Sequence, residues 1–311
     1  MFLFIFLLLL EINHYYFYLF LFQLQQNKNY DDSNFEEKKY IASGAYGDIF
    51  SAYSKKDKLY LCLKYINLPK MKAEYEKNNF KKSYQSDLNN EIAILQLFSD
   101  FSNSLKYYGN YDKENEKIIV LEKCNEDLEA YMKNRKRALN TEKIKEIFTG
   151  LNEVFKAMYE KQIIHRDLKL SNLLLKYKDS NKENFIIKLG DYGLGKFLNK
   201  GKSITGLKGT PETAAPEIIL KKISKYENSV DIFSLGVIFY QLSHNLKHPF
   251  NNNHIQRIII YSNKYEEDDF NIQFDNSIEN SDFKDLLKKM LKLNPKNRLT
   301  WEKYFSHPFF K

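Results

Sequence analysis

Past residue 39 the chain sets short runs of β-forming residues against glycine-containing breaks. The runs 40–50 and 60–66 cluster or alternate Tyr, Ile, Leu and Phe as strands do, and 117–122 is a further short apolar strand. A polar, Lys/Asn-rich stretch, 67–90, is predicted as a loop leading into a helix. From 91 to 98 the apolar positions Ile92, Leu95, Leu97 and Phe98 suit a helix with one buried face. Beyond 122 the periodicity turns helical, over 127–134, 141–161, 229–242 and 281–293. Strands come first and helices follow. That order predicts an α+β fold of two lobes, a small β-rich lobe over about 36–121 and a larger helical lobe over about 125–311.

The first residues break this pattern. Residues 1–10 carry no charge, and 12–22 are again aliphatic and aromatic apart from Asn13 and His14, with Glu11 between the two runs. Roughly twenty apolar residues suffice for one spanning helix. A secretory signal also needs a basic region before the run and small residues after it, and both are missing. Three readings of the segment 1–35 stay open: a single-pass membrane anchor, a mistaken start that translates AT-rich sequence, and an extra buried element of the fold. As an anchor it would leave the rest of the chain cytoplasmic, because Lys28, Lys38 and Lys39 all follow the run.

Composition changes the picture little. The 311 residues are 43% hydrophobic and 28% charged, which excludes a wholly disordered chain. The net charge of +8 comes from lysines scattered along the chain, with no basic stripe interleaved with aromatics, so nucleic acid is not an expected partner. Cys62 and Cys124 lie far apart and match no metal-ligand spacing, so they read as reduced thiols. The richness in Phe, Tyr, Asn, Lys and Ile follows AT-rich codons, and runs such as Asn199-Lys200-Gly201-Lys202 carry little weight for that reason. No feature fixes an oligomeric state.

Chemistry is concentrated in a few short motifs. Ala42-Ser43-Gly44-Ala45-Tyr46-Gly47-Asp48-Ile49 lies between two predicted strands, where glycines let backbone N–H groups approach phosphate oxygens. Taken alone this is a common turn. Leu61-Cys62-Leu63-Lys64 ends an apolar strand on an ammonium, and a buried ammonium requires an anion. Glu91, on the inward side of its helix, is the best carboxylate for it, with Glu76 the alternative. More specific is His165-Arg166-Asp167-Leu168-Lys169-Leu170-Ser171-Asn172, which sets a carboxylate, an ammonium and an amide between the apolar runs 163–164 and 173–175. Phosphoryl transfer needs these groups: a carboxylate to orient and deprotonate a hydroxyl, a cation for the moving phosphoryl, and an amide oxygen for a metal. Asp191-Tyr192-Gly193, after the strand 185–189, adds an anionic oxygen of the kind Mg²⁺ prefers.

In this order, and with Ala215-Pro216-Glu217, Asp231-Ile232-Phe233-Ser234-Leu235-Gly236 and Asn294-Pro295-Lys296-Asn297-Arg298 further on, the motifs resemble those of the eukaryotic protein kinase family. The resemblance runs from about 38 to 310, almost nine-tenths of the chain. It implies an ATP- and Mg²⁺-dependent enzyme acting on protein substrates. It assigns Lys64 to the α- and β-phosphates, held by Glu91; Asp167 as catalytic base; Lys169 as the γ-phosphate cation; and Asn172 and Asp191 as metal ligands. By the same resemblance Ala42, Gly44 and Gly47 form the phosphate loop, Ile49, Cys62 and Leu174 sandwich the adenine, and Leu121 is the gatekeeper. The backbones of Glu122 and Cys124 would form the adenine hinge, with Asp127 a ribose contact. Asp231 would brace the catalytic loop, and Arg298 would pair with Glu217.

Three residues depart from the family pattern. Ala42 replaces the first loop glycine, Tyr192 replaces Phe and brings a hydroxyl, and Thr213 replaces the Tyr common before Ala-Pro-Glu. The stretches 67–90 and 176–184 are longer than usual and are expected to be surface insertions. Lys64, Asp167 and Asp191 are all retained, which favours an active enzyme over a pseudokinase scaffold; Ala215-Pro216-Glu217 favours protein substrates over small molecules. Lys169, two residues after Asp167, is the Ser/Thr-type arrangement, and Thr210 sits where it would bond Asp167 and Lys169.

Arg166 directly before Asp167 goes, in this family, with a phosphate on the segment between Asp191 and Glu217. Its hydroxyls before Gly209 are Ser203 and Thr205, near Lys200, Lys202 and Lys208. A phosphate of about −1.5 to −2 charge orders a loop against such cations. Phosphorylation of Thr205, with Ser203 second, is expected to raise activity. Peptide mapping of active enzyme and the Thr205→Ala/Ser203→Ala double variant test this; full activity in the double variant removes the switch.

Overall fold

Side-chain alternation along five strands decides the architecture of the first of two compact units, which runs to Asn125. The computed structural model describes residues 30–77, 83–180, 182–198, 209–220, 227–268 and 270–311. The apolar run 1–22 and the hydroxyls of Ser203 and Thr205 lie outside the described residues. Among the described residues no helix is long and apolar enough to cross a membrane.

Strands β1 (Phe35–Ser43), β2 (Asp48–Ser54), β3 (Leu59–Asn67), β4 (Tyr107–Lys113) and β5 (Glu116–Glu122) form one antiparallel sheet in the order β1-β2-β3-β5-β4. Because successive residues of a strand face opposite sides, Leu61 and Leu63 go to one face, and Cys62 and Lys64 to the other. On the Leu61 face lies a buried core of Tyr30, Phe35, Ala52, Leu61, Leu63, Tyr111, Ile118 and Val120. The rings of Tyr30 and Phe35 stack at 5.5 Å, and those of Phe35 and Tyr111 at 6.0 Å. Tyr30 also donates to Asp57 at 2.6 Å, while Asp32 accepts from Lys38 at 2.5 Å and Lys113 at 2.9 Å. These two lysines hold the Asp32 carboxyl down at about 2. Tyr30 and Phe35, just before and at the start of β1, thus cover the apolar face of this sheet.

The stretch 67–90, expected as a loop, is largely helical. Helix α1 (Leu68–Lys77) follows β3 directly, and α2 (Tyr84–Leu97) begins well before Glu91, capped by Ser83 accepting from Gln85 N. Polar composition hid α1, whose buried contribution is two residues one turn apart, Met71 and Tyr75.

From Glu126 the second unit is mainly helical. It contains β6 (Glu126–Asp127), α3 (Leu128–Arg135), α4 (Thr141–Glu160), β7 (Ile163–Ile164), β8 (Leu173–Tyr177), β9 (Phe185–Leu189), β10 (Lys196–Phe197) and α5 (Pro216–Ile219). Then follow α6 (Ser229–Ser243), α7 (His254–Lys264), α8 (Ser281–Met290) and α9 (Trp301–Phe305). Helix α6 is buried on nearly every side, as its continuous apolar run requires. Strands β6, β8 and β9 pair in that order, and β10 returns to pair with β7. The chain between β7 and β8, and that between β9 and β10, are thus held at neighbouring strand ends. Exposed residues between β8 and β9 agree with a surface connection there.

Glu217 of α5 and Arg298 form the deepest ion pair among the described residues of this unit. Nη1 and Nη2 donate to Oε1 at 2.7 Å and Oε2 at 2.8 Å, with side chains 2% and 0% exposed. The remaining guanidinium hydrogens reach the carbonyls of Lys292, Ser229 and Leu293. Removing one partner of such a pair strands the other charge, at a cost of ~3–5 kcal/mol. With about 2–4 °C per kcal/mol for a unit of this size, Arg298→Ala should lower the melting temperature by roughly 6–20 °C. Differential scanning fluorimetry reads this directly, and a shift near zero contradicts the burial.

Candidate active site

In the first unit the strand register gathers one set of predicted residues. Ala42 stands opposite Ile49, Ile49 opposite Lys64, and Cys62 opposite Leu121. Directly paired residues of antiparallel strands share a face, so all five side chains lie on the face away from the aromatic core. Burial pushes the Cys62 thiol up to about 11, which keeps it protonated. Lys64 Nζ lies 2.6 Å from Glu91 Oε1, and the Glu91 side chain is 8% exposed. Glu76, the alternative partner, is exposed and sits 3.9 Å from Lys72. The loop between β1 and β2 folds onto β3: Gly44 N donates to Gly47 O at 2.6 Å, and Asn67 N donates to Tyr46 O at 2.8 Å. A Cβ on Gly47 would lie 2.1 Å from the Tyr65 carbonyl oxygen, so the approach excludes any side chain there. At the end of β5, Glu122 N donates to Lys106 O at 2.8 Å; Cys124 follows, half-buried.

The second unit gathers the others. Buried Asp231, in the first turn of α6, accepts from His165 N at 2.7 Å and Arg166 N at 2.9 Å. Burial pushes its carboxyl up, against the pull of those amides and of the charges beside them. The loop is so fixed that Arg166 takes φ +66°. His165 Nδ1 accepts from Asp167 N at 3.4 Å, leaving Nε2 to bond Gly190 O at 3.1 Å. The Asp167 carboxylate then lies among donors. Oδ1 accepts from Thr210 N at 3.0 Å and Thr210 Oγ1 at 2.6 Å; Oδ2 accepts from Asn172 Nδ2 at 3.2 Å and faces Lys169 Nζ at 2.9 Å. Lys169 also donates to Thr210 Oγ1 at 2.9 Å. Thr210 reaches this position because Gly209, at φ +132°, comes so close that a Cβ would lie 2.8 Å from Arg166 O.

Asp191 is exposed, at φ +52° and ψ +70°, immediately after a Gly190 whose N–H donates to Asn172 O at 2.9 Å. Left-handed backbone at a non-glycine residue costs free energy and marks a position the surroundings hold in place. Tyr192 is fully buried with its ring 5.3 Å from that of His165. Leu174 of β8 stands opposite Asp127 of β6. Asp127 caps α3 by accepting from Ala130 N at 2.8 Å, a role its position before an apolar run announces. Sequence reasoning missed two contacts. Arg166 Nε donates to the Leu194 carbonyl at 2.7 Å, which ties the Asp191 segment to the loop that carries Asp167, and Tyr75 of α1 donates to Asp87 of α2 at 2.5 Å. Neither has a motif that would have found it.

The protein kinase domain family matches residues 35–310. The chain belongs to that family. It is 30% identical over 280 residues to the probable serine/threonine-protein kinase nek3 of Dictyostelium discoideum, covering 88% of this chain and 23% of the relative. It is 32% identical over 240 residues to serine/threonine-protein kinase unc-51 of Caenorhabditis elegans, covering 75% and 27%. To human serine/threonine-protein kinase ULK1 it is 29% identical over 280 residues, covering 88% and 25%. The chain thus spans about a quarter of the length of these relatives. Membership of the family implies ATP and a divalent cation.

If the Lys64–Glu91 pair grips nucleotide phosphates, both partners are needed. Lys64→Met should lower activity by orders of magnitude, since ion pair and phosphate contact go together. Glu91→Gln should also be strongly impaired; a rate near wild type in a steady-state assay would show that Lys64 works without it.

Proposed function

We propose that this chain transfers the γ-phosphoryl group of ATP to serine and threonine hydroxyls of protein substrates, with Asp167 as the catalytic base. One observation carries the reading: Asp167, Lys169, Asn172 and Thr210 converge within hydrogen-bonding distance around one carboxylate. Thr210 fixes Oδ1 from two donors while Asn172 and Lys169 flank Oδ2, so the carboxylate would meet an incoming hydroxyl in one fixed orientation. It would orient that hydroxyl and take its proton as the oxygen–phosphorus bond forms. Lys169, beside Oδ2, would neutralise charge on the transferred group. Lys64, held by Glu91, would bind the α- and β-phosphates, and the tight turn at Gly44 and Gly47 would present backbone N–H groups to them.

The donor set fits Mg²⁺. Asn172 commits its amide nitrogen to the Asp167 carbonyl at 2.8 Å and to Oδ2, so its amide oxygen is the atom it offers a cation. Asp191 adds an exposed carboxylate, and both are the hard oxygen donors this ion takes. When bound, the ion supplies charge neutralisation on the phosphates. Lys169 two residues after Asp167, bonded to Thr210, supports serine and threonine over tyrosine as acceptors.

The test is phosphorylation of a peptide array by the full chain, comparing wild type with Asp167→Asn; equal labelling by both removes Asp167 from the chemistry. A second variant addresses the metal. Asp191→Asn should abolish transfer at unchanged thermal stability, because it removes the anionic ligand and leaves the fold. Turnover within about tenfold of wild type at saturating Mg²⁺ would sink the metal assignment.

A further inference from the structure

Helix α1 buries little, yet one of its two buried residues touches both elements on which phosphate binding rests. Tyr75, 6% exposed, donates its hydroxyl to Asp87 Oδ2 at 2.5 Å. Asp87 is itself 6% exposed and lies on α2 one helical turn before Glu91, so the two carboxylates share a face. The Tyr75 ring also packs against Tyr46 of the glycine loop, with centroids 6.5 Å apart. Tyr46 is held to the end of β3 through Asn67 N, and its phenol is pushed up by burial and then by the charges of Glu74 and Asp87. The glycine loop and α2 therefore meet on a single phenol.

We propose that Tyr75 is a positioning residue for nucleotide binding. Its ring seats the loop at Tyr46 and Gly47, and its hydroxyl fixes the α2 turn that presents Glu91 to Lys64. This rests on the kinase reading above. A buried hydrogen bond to a charged acceptor is among the stronger ones, because the low surrounding dielectric does not screen it. Losing it frees α2 and the loop to move apart while the ring still fills its space. The residues it controls bind phosphates in the ground state, so the loss falls on the affinity for ATP before it falls on turnover.

The experiment uses the full chain and steady-state kinetics with ATP varied, beside direct ATP binding by calorimetry. Tyr75→Phe should raise KM and Kd for ATP about tenfold with kcat within about twofold. Its melting temperature should stay within a few degrees of wild type. Asp87→Ala should match it, whereas Asp87→Asn, which keeps an acceptor oxygen, should recover most of the affinity. The Tyr75→Phe/Asp87→Ala double variant should be no worse than either single one, since both remove one bond. A purely structural Tyr75 predicts the opposite, a lowered melting temperature with KM unchanged. Unchanged KM in Tyr75→Phe, or additive losses in the double variant, overturns the proposal. If wild type neither binds ATP nor phosphorylates any peptide, the kinase reading fails and this one with it. If wild type is active and the variants match it, only the role of Tyr75 fails.

Discussion

The second unit is organised by one buried carboxylate. Among the described residues Asp231 is held chiefly by two backbone N–H groups, those of His165 and Arg166, sixty-odd residues away in sequence. A carboxylate buried this deeply is costly unless its lone pairs are used, so the two amides and the acid have to be placed together. Once they are, the loop after β7 loses most of its freedom. Arg166 is driven to a positive φ, His165 turns its ring toward Gly190, and Asp167 leaves the loop pointing at Thr210, Asn172 and Lys169. The geometry of the proposed chemistry descends from an interaction that takes no part in it. The same logic places Glu217 and Arg298, which bind each other and three carbonyls instead of a substrate.

A comparable economy holds in the first unit, where the period of two along a strand separates packing from chemistry. Moving β3 by one residue against β2 would send Lys64 and Cys62 into the aromatic core and expose Leu61 and Leu63. Tyr30 and Phe35, packed over Leu61 and Leu63, make that slip expensive, so the rings on one face guard the register of the lysine on the other. The residues just before β1 therefore belong to the machinery that positions Lys64, although they lie far from it in sequence.

Much of this was legible before the fold was known, and the reason is physical. Asp167, Lys169 and Asn172 occupy one short loop, so spacing alone nearly fixes which groups converge, and apolar runs on both sides mark where the loop is anchored. The α+β order was readable because the strands and helices of this chain keep distinct apolar periods. Helix α1 was not readable: with Met71 and Tyr75 its only buried positions, it lacks a stripe, and its lysines and glutamates look like any polar connection. Tyr30 escaped for a different reason. It follows a long apolar run that invites a separate reading, and nothing local says that a tyrosine there will stack on Phe35. Pairings of this kind depend on contacts between distant strands, and no window of sequence contains them.

The two ends of the segment between Asp191 and Thr210 are tied to the loop that carries Asp167 by different means. At the first end, Arg166 Nε and Nη2 both donate to the Leu194 carbonyl, and β10 pairs with β7 directly afterwards. At the second, Gly209 approaches Arg166 O so closely that only glycine fits, and Thr210 follows with two bonds to Asp167. Both tethers meet at Arg166, one through its guanidinium and one through its carbonyl, and neither involves a phosphate. The segments that carry Asp191 and Thr210 are thus tied down by contacts that an unmodified chain already makes.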